Sequence, residues 1–394
     1  MPQQAECRVI ECVKRREKRT RRKDQTLNIT DYGWNTYKSA VDNIETIAGE
    51  NNRLVPGRIV SESSQLYKVC TDIGENWAAL TGTLLNSLAG RNEFPAVGDW
   101  VLVDPDAGHQ HWIIREVLPR YSALSRKAAG RVTEAQVLAA NIDYVFIVNG
   151  LDGGRNFNLR GIERYLTSVW DSGAQPAVIL NKADLCEDVA KAVNEAETVA
   201  PGVPVVAMSA VTGEGVEKLA ALASPGRSVV LAGRSGVGKS SIINKLAGKE
   251  IMYTGRQRTQ DLRGRHTTTH RQLVKLPSGA LLIDTPGLRE LSLWAETDSV
   301  NSAFPEIEEL SASCKFRDCS HTGEPGCAVL QAVDSGEIER NRYENYLSMQ
   351  KELEYLRSRR DERSRKEYNS TLKAKGKELS RYVKEIKKHG KRRY

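Results

Sequence analysis

The chain reads L-A-G-R-S-G-V-G-K-S-S at residues 231–241, between an apolar run at 228–231 and a helical pattern. The spacing G-x-x-x-x-G-K-S is that of a phosphate-binding P-loop. Backbone N–H groups must surround phosphate oxygens in such a loop, so side chains are absent at its tightest points. We expect Lys239 to reach the outer phosphates and the Ser240 hydroxyl to hold Mg²⁺. The predicted nucleotide-binding residues are Gly233, Arg234, Ser235, Gly236, Val237, Gly238, Lys239, Ser240 and Ser241.

The length and composition of the chain limit its domain number and its class. With 394 residues, the chain is too long for one ordinary core and predicts two or three domains. Hydrophobic residues make up 40% and charged residues 27%, as in soluble globular proteins. No apolar run approaches the roughly 20 residues that span a bilayer, and the polar, basic N-terminus lacks a secretory signal. We therefore expect a cytoplasmic protein with no membrane contact.

The net charge of +8 is concentrated at the two ends of the chain. The first 30 residues carry nine Lys or Arg against four Asp or Glu, and residues 351–394 carry seventeen against seven. The middle of the chain is therefore mildly acidic. Two interpretations stay open for these basic arms: solvated, partly disordered tails, or segments that attach electrostatically to phosphate backbones.

Residues 1–50 are predicted to be a basic, flexible extension of low hydrophobicity, and we expect its dense basic run at 14–23 to be mobile until it meets a partner. Short strands then alternate with Gly, Asn, Asp and Pro. Five strands within so short a stretch favour a small closed barrel over 51–122, most simply an OB-fold. The predicted strands are 53–62, 65–72, 77–85, 99–104 and 110–118.

Residues 123–300 alternate strands with helices, which indicates a doubly wound α/β sheet with ligands at the carboxyl ends of its strands. The strand candidates are 142–148, 177–180, 203–207, 229–231, 273–276 and 280–283. The helical patterns cover 159–172, 187–199, 216–223 and 239–247. The P-loop follows one of these strands, as the rule requires.

A second motif follows the strand candidate 177–180 and can choose the base. In Asn181, Lys182, Ala183 and Asp184, the last carboxylate can accept hydrogen bonds from the guanine N1–H and exocyclic amine. The stem of Lys182 can pack on the base plane. Ser209 and Ala210 follow the next strand and can complete the pocket through backbone contacts.

Metal and γ-phosphate contacts are predicted after the strand candidate 280–283. Asp284 is placed to hold Mg²⁺ through water, and the Gly287 N–H to contact the γ-phosphate. Between the P-loop and Asp284 lies G-R-H-T-T-T at 264–269. A threonine there can reach Mg²⁺ and be released after hydrolysis, as in a GTPase switch. The candidates are Thr267, Thr268 and Thr269.

Three cysteines and a histidine cluster near the C-terminus as Cys314, Cys319, His321 and Cys327. Three thiolates and one imidazole can close a tetrahedron around Zn²⁺, which predicts one structural zinc ion. The alternative is a set of reduced, buried cysteines. We expect a mainly helical zinc-binding domain at 301–350 and a basic helical tail at 351–394.

These motifs are the five GTPase motifs in an unusual order, which indicates a circularly permuted domain. With a barrel before it and a Cys/His segment behind it, the chain resembles the ribosome small subunit-dependent GTPase family over roughly residues 50–330. The resemblance implies a monomeric GTP hydrolase that binds the small ribosomal subunit and its rRNA. It implies action in late subunit maturation, with hydrolysis stimulated by the subunit and coupled to release.

Water activation is assigned through the resemblance. Leu288 occupies the place where Ras-type enzymes have a glutamine, and leucine cannot position water. The resemblance implies that a switch histidine substitutes, and His266 is the matching residue. A phosphate-contacting or merely exposed loop histidine is the alternative interpretation, and His270 is a second candidate.

Other functions remain open at this point. One is a nucleotide-gated RNA-binding protein with little turnover. Another is a GTPase that regulates a protein or membrane partner, although the basic arms lack the large apolar residues of an interfacial helix. A P-loop kinase would leave the motif at 181–184 without a purpose.

Overall fold

The structure is a computed structural model that describes residues 28–41, 53–63, 66–88, 90, 92–106, 111–127, 135–153, 156–250, 271–284 and 303–354. The chain divides into two compact units: residues 1–126 with 134–292, and residues 127–133 with 293–394. In the described part of the chain, no helix is long and apolar enough to cross a bilayer. The domain boundaries at 50, 122, 300 and 350 stay predictions.

Part of the N-terminal extension is ordered, so the prediction of a flexible segment is wrong for residues 28–41. Ile29–Tyr32 form a 3-10 turn and Trp34–Ala40 form helix α1. Tyr37 is 1% exposed, and its hydroxyl donates to the Pro119 carbonyl at 2.7 Å. The apolar residues of this stretch recur every three or four positions, a pattern that the basic composition around them hid. Residues 1–27 and 42–52 lie outside the described residues.

A closed five-stranded barrel follows, which confirms the OB-fold prediction. Strand β3 pairs parallel to β5, β1 pairs antiparallel to both β2 and β4, and the order around the barrel is β1-β2-β3-β5-β4. Val101 and Val103 of β4 point into the barrel core, while Trp100 and Leu102 pack against the N-terminal segment. The strands are β1 (Val55–Ser63), β2 (Leu66–Thr71), β3 (Gly74–Leu80), β4 (Trp100–Asp104) and β5 (Trp112–Val117).

The third barrel strand is shorter than the predicted 77–85. It ends at Leu80, and Gly82–Ser87 form helix α2 instead. Thr81 caps this helix, since its hydroxyl accepts a hydrogen bond from the Leu84 N–H at 3.0 Å. The strand therefore ends just before a helix-capping threonine and a glycine, whereas composition alone predicted that it continues to residue 85.

A doubly wound α/β sheet continues from the barrel and confirms the second fold prediction. Before its first strand lies a separate two-stranded sheet of β6 (Ala123–Lys127) and β7 (Ala135–Ala140), which the sequence did not predict. The sheet strands are β8 (Tyr144–Gly150), β9 (Gln175–Asn181), β10 (Val205–Ala207), β11 (Ser228–Ala232), β12 (Gln272–Lys275) and β13 (Leu281–Asp284). The helices are α3 (Leu159–Asp171), α4 (Val189–Val199), α5 (Val216–Leu222) and α6 (Lys239–Ala247).

Helices cover both faces of this sheet. Val145 and Ile147 of β8 pack in one cluster with α3 and α4, whereas Phe146 and Val148 pack in another with α5 and α6. Because successive side chains of a strand point to opposite faces, the two clusters lie on opposite sides. The strand order is β10-β9-β8-β11-β13-β12, parallel except for β12, which continues through Ser61 into barrel strand β1.

The second unit is mainly helical, as predicted. Its helices are α7 (Pro305–Ser311), α8 (Ala328–Ser335) and α9, which covers the described residues 340–354. Tyr346, Met349 and Leu353 form a buried stripe on α9, and the Tyr346 ring meets Phe304 edge to face at 5.5 Å. This stripe belongs to the core of the second unit.

Arg58 of β1 joins three parts of the first unit through one buried guanidinium, which is 2% exposed. It donates to the carbonyls of Tyr32, Gly98 (3.2 Å) and Asn141 (2.9 Å) and to the Ser228 hydroxyl (2.8 Å). The N-terminal segment, the barrel and the first residue of β11 therefore share one donor group. Burial lowers the pKa of Arg58, and the surrounding oxygens compensate part of the lost hydration.

We predict that Arg58→Met lowers the free energy of unfolding by about 3 kcal/mol, because it leaves several buried acceptors without a donor. Urea unfolding of the full chain, followed by tryptophan fluorescence, measures the change. Arg53→Met is the matched control: its side chain is 62% exposed beside Asp104, so we expect a loss under about 1 kcal/mol. Equal losses in the two variants would contradict the role assigned to Arg58.

Candidate functional site

The P-loop connects β11 to α6 and depends on glycine at its two ends. Gly233 and Gly238 have φ angles of 134° and 97°, which side-chain-bearing residues rarely adopt. A Cβ atom at Gly233 would lie 2.3 Å from the Val148 carbonyl oxygen. One at Gly238 would lie 2.2 Å from the Asn181 side-chain nitrogen. The loop is therefore pressed against the ends of β8 and β9.

The Lys239 side chain folds back across this loop. Its ammonium group donates to the carbonyl oxygens of Gly233 at 2.6 Å and Arg234 at 2.7 Å. Arg234, Ser235 and Gly236 are exposed, while Val237 is fully buried beneath them. The loop thus presents backbone and a positive charge to solvent and anchors itself through Val237. Ser240 and Ser241 follow, half-buried, in the first turn of α6.

Asn181 connects the P-loop to the loop that follows β10. Its amide nitrogen donates to the Val237 carbonyl at 2.9 Å, and its amide oxygen accepts from the Ala210 N–H at 3.1 Å. The side chain is 2% exposed. Both polar ends of Asn181 are therefore used to hold two loops at a fixed separation.

Ser209 shapes the second of these loops with its hydroxyl. The oxygen accepts from the N–H groups of Val211 at 3.2 Å and Thr212 at 3.1 Å, and the residue is fully buried. Ala183, in the predicted base motif, donates its N–H to the Met208 carbonyl at 3.1 Å. The two predicted base-contact segments are thus hydrogen-bonded to each other.

Asp184 lies in an exposed 3-10 turn, Ala183–Leu185, directly after β9. Its neighbour Lys182 has a φ of 65° and forms an ion pair with Asp152, whose carboxylate lies 2.5 Å from the ammonium. This contact lowers the pKa of Asp152. Asp152 is a site residue that the sequence reasoning missed. Its position two residues beyond β8, at the same edge of the sheet, was the available signal.

Asp284 ends β13, so it lies at the same edge as the P-loop and the segment that begins at Asn181. Strands β10, β9, β8, β11 and β13 are parallel and adjacent in that order, and the predicted motifs follow the carboxyl ends of β9, β10, β11 and β13. The structure thereby brings together four of the predicted segments. His266, Thr267, Thr268, Thr269 and Gly287 lie outside the described residues, and their roles stay predictions.

The second unit brings the predicted metal ligands together. One ligand atom from each of Cys314, Cys319, His321 and Cys327 lies within 4.8 Å of the others. The Cys314 and Cys327 sulfurs are 3.9 Å apart, close to the roughly 3.8 Å edge of a tetrahedron with 2.3 Å Zn–S bonds. Their sulfurs lie 3.6 Å and 3.5 Å from His321 Nδ1. The donor set fits a tetrahedral metal ion of the zinc type.

Two residues that the sequence did not single out hold this ligand loop in place. The Glu324 carboxylate accepts from the N–H groups of Ser320 and Thr322, both at 2.9 Å, and from the Ser320 hydroxyl. These bonds lower the pKa of Glu324 to about 2. The Tyr343 hydroxyl of α9 donates to the His321 carbonyl at 2.5 Å, which anchors a residue with a φ of 57°.

Known proteins are similar to this chain over most of its length. The family model described as RsgA GTPase matches residues 117–294. A protein of Lactiplantibacillus plantarum named "Small ribosomal subunit biogenesis GTPase RsgA 2" is 43% identical over 342 residues, which cover 86% of this chain and 94% of that protein. The chain belongs to the RsgA GTPase family. Membership makes it a GTP-hydrolysing enzyme.

Further relatives agree with this RsgA assignment. An Opitutus terrae protein named "Small ribosomal subunit biogenesis GTPase RsgA" is 43% identical over 85% of this chain and 92% of its own. The crystal structure of YjeQ from Thermotoga maritima matches with a TM-score of 0.58 and 31% identity, over 76% of this chain and 98% of that one. The structure of YloQ, titled a circularly permuted GTPase, matches with a TM-score of 0.56 and 26% identity. The match covers 77% of this chain and 96% of that one.

We predict that Asn181→Ala lowers the free energy of unfolding of the protein by about 2 kcal/mol. The Val237 carbonyl and the Ala210 N–H would each lose a buried partner. Urea unfolding without nucleotide gives the measurement. Asn194→Ala, on the exposed face of α4, is the control and should stay within about 0.5 kcal/mol of the parent protein. An Asn181 variant as stable as this control would rule out the bridging role.

Proposed function

We propose that this protein is a GTP hydrolase of late small-subunit maturation, stimulated by the subunit and released from it when GTP is hydrolysed. The observation that carries the proposal is the convergence of the P-loop, Asn181, Asp184 and Asp284 on one edge of the sheet. The names of its relatives support the small ribosomal subunit as the partner. The proposal places the protein in the cytoplasm as a monomer.

Guanine selection is assigned to the turn after β9. Asp184 is exposed there, and its carboxylate can accept from the guanine N1–H and 2-amino group, a donor pair that adenine lacks. The backbone at Ser209 and Ala210, which the Asn181 side chain fixes, would line the other side of the base. In this role Asn181 supports the pocket and Asp184 reads the base.

The phosphates and Mg²⁺ are assigned to the P-loop side of the same edge. Lys239, whose ammonium lies at the Gly233 and Arg234 carbonyls, would bond the outer phosphates, since charge-assisted bonds to phosphate are strong. Ser240 and Asp284 would hold Mg²⁺, with a threonine from 267–269 and the Gly287 N–H on the γ-phosphate. The metal would neutralise charge that develops on the phosphate oxygens.

Hydrolysis needs a group that orients water, and we assign that role to His266. Leu288 offers no hydrogen bond at the position after Gly287, and the family resemblance favours His266 over His270 for this role. Without a partner to fix the switch, water is held poorly and turnover is slow. The small subunit would supply that order, while rRNA contacts through the barrel, the second unit and the basic arms would hold the protein in place.

The deciding experiment is phosphate release from GTP with and without isolated small subunits, with large subunits as the matched control. We expect acceleration by small subunits alone, and a loss of that acceleration as salt rises, because phosphate-backbone contacts release counterions. Equal slow release under every condition would instead favour a nucleotide-gated RNA-binding protein with little turnover.

The same assay tests the histidine. His266→Ala should bind GTP normally and lose subunit-stimulated release roughly a hundredfold, the lower range for a general acid–base contribution. His270→Ala is the matched control and should retain stimulation. Full stimulation in the His266 variant would overturn its assignment.

We infer that the Cys314, Cys319, His321 and Cys327 cluster holds one Zn²⁺ with a structural role. All four positions of the tetrahedron are protein ligands, so none remains for a substrate. We predict one equivalent of zinc by elemental analysis of the purified protein and its loss in Cys319→Ser. Cys186→Ser, whose thiol lies in the first unit, should retain the metal. Equal zinc content in both variants would contradict the site.

A further inference from the structure

Lys182 is held by a carboxylate that lies outside the GTPase motifs. Its ammonium lies 2.5 Å from Asp152, and the two side chains are only 24% and 22% exposed. The Asn156 amide nitrogen donates to both oxygens of that carboxylate, at 3.1 Å and 3.0 Å. The carboxylate is therefore fixed from two sides, unlike the flexible partner of an ordinary surface ion pair.

The backbone around this pair is also specialised. Gly150 donates its N–H to the Asn156 carbonyl at 3.2 Å, and Leu151 donates to the Asn181 carbonyl at 2.8 Å. A Cβ atom at Gly150 would lie 3.2 Å from an Asp152 oxygen and 3.6 Å from Lys182 Cδ. Glycine thus leaves room for the Asp152 carboxylate beside the end of β8, and the Lys182 stem lies at an ordinary contact distance.

These contacts within the protein restrict the conformations of the Lys182 side chain. A lysine side chain has several rotatable bonds, and ordering it costs conformational entropy. A partner that orders the stem in the free protein removes this cost from the binding step. The contact with Lys182 also lowers the pKa of Asp152, as expected for a carboxylate that accepts a hydrogen bond from an ammonium group.

We propose that Asp152, itself oriented by Asn156, is a positioning residue that sets guanine-nucleotide affinity by fixing the stem of Lys182 beside the base. This inference rests on the proposed base-binding role of the segment 181–184. Asp152 acts through Lys182 and makes no contact with the reacting phosphate. Its loss therefore weakens nucleotide binding and leaves the chemical step unchanged.

A double-mutant cycle tests this coupling with Asp152→Asn, Lys182→Met and the combined variant. Affinity for a fluorescent GDP analogue is measured by titration, and GTP turnover by phosphate release with small subunits. We expect Asp152→Asn to weaken GDP binding and raise KM roughly tenfold, with kcat at saturating GTP unchanged. In the Lys182→Met background the same change should have no further effect, because its partner is absent.

Glu197→Gln is the matched control, since it removes an exposed carboxylate from α4, away from this ion pair. Its GDP affinity should equal that of the parent protein. Thermal unfolding without nucleotide identifies any loss of structure in the Asp152 variant. Additive effects of Asp152→Asn and Lys182→Met, or a fall in kcat with KM unchanged, would overturn the inference.

Asp184→Asn separates this inference from the proposed function. An amide at that position offers a donor to the 2-oxo group of xanthine, so preference should move from GDP toward xanthosine diphosphate. If it does not move, the base-site assignment fails whatever the Asp152 cycle gives. If it moves while the cycle is additive, only the role of Asp152 fails.

Discussion

The buried guanidinium of Arg58 imposes the tightest constraint on the first unit, because a charge can remain buried only while every surrounding acceptor stays in place. Those acceptors belong to the turn at Tyr32, to the barrel at Gly98 and to the α/β domain at Asn141 and Ser228. Ser228 begins the strand that leads to the P-loop. The barrel, the N-terminal segment and the nucleotide-binding strand are therefore held together at one group.

Circular permutation changes the order of the motifs along the chain and keeps their positions in space. The determining factor is the parallel sheet, whose strands β8, β9, β11 and β13 all end at one edge. Segments that follow these strands meet there whichever strand comes first in sequence. The Asn181 side chain then fixes the distance between two of these segments, because it forms hydrogen bonds with Val237 on one side and Ala210 on the other.

Sequence reasoning succeeded where local pattern determines structure and failed where distant residues meet. Turn residues between short apolar runs predicted the barrel, and the cysteine spacing predicted the metal cluster. Helix α2 was missed because a single capping threonine outweighed the apolar pattern around Leu84. The ion pair of Asp152 with Lys182 was missed because it joins residues 30 positions apart across two strand ends. Such a contact leaves no periodic pattern of residues in the sequence.

The fusion of the barrel with the α/β sheet bears on how the folded chain avoids self-association. Open sheet edges carry unpaired N–H and C=O groups that can recruit another chain. In the eleven-stranded sheet, as far as the structure describes it, β12 pairs with β1 and the barrel then closes on itself. At the other end of the described sheet, the edge strand β10 is three residues long. That end of the sheet therefore offers a neighbouring molecule only a very short template for strand addition.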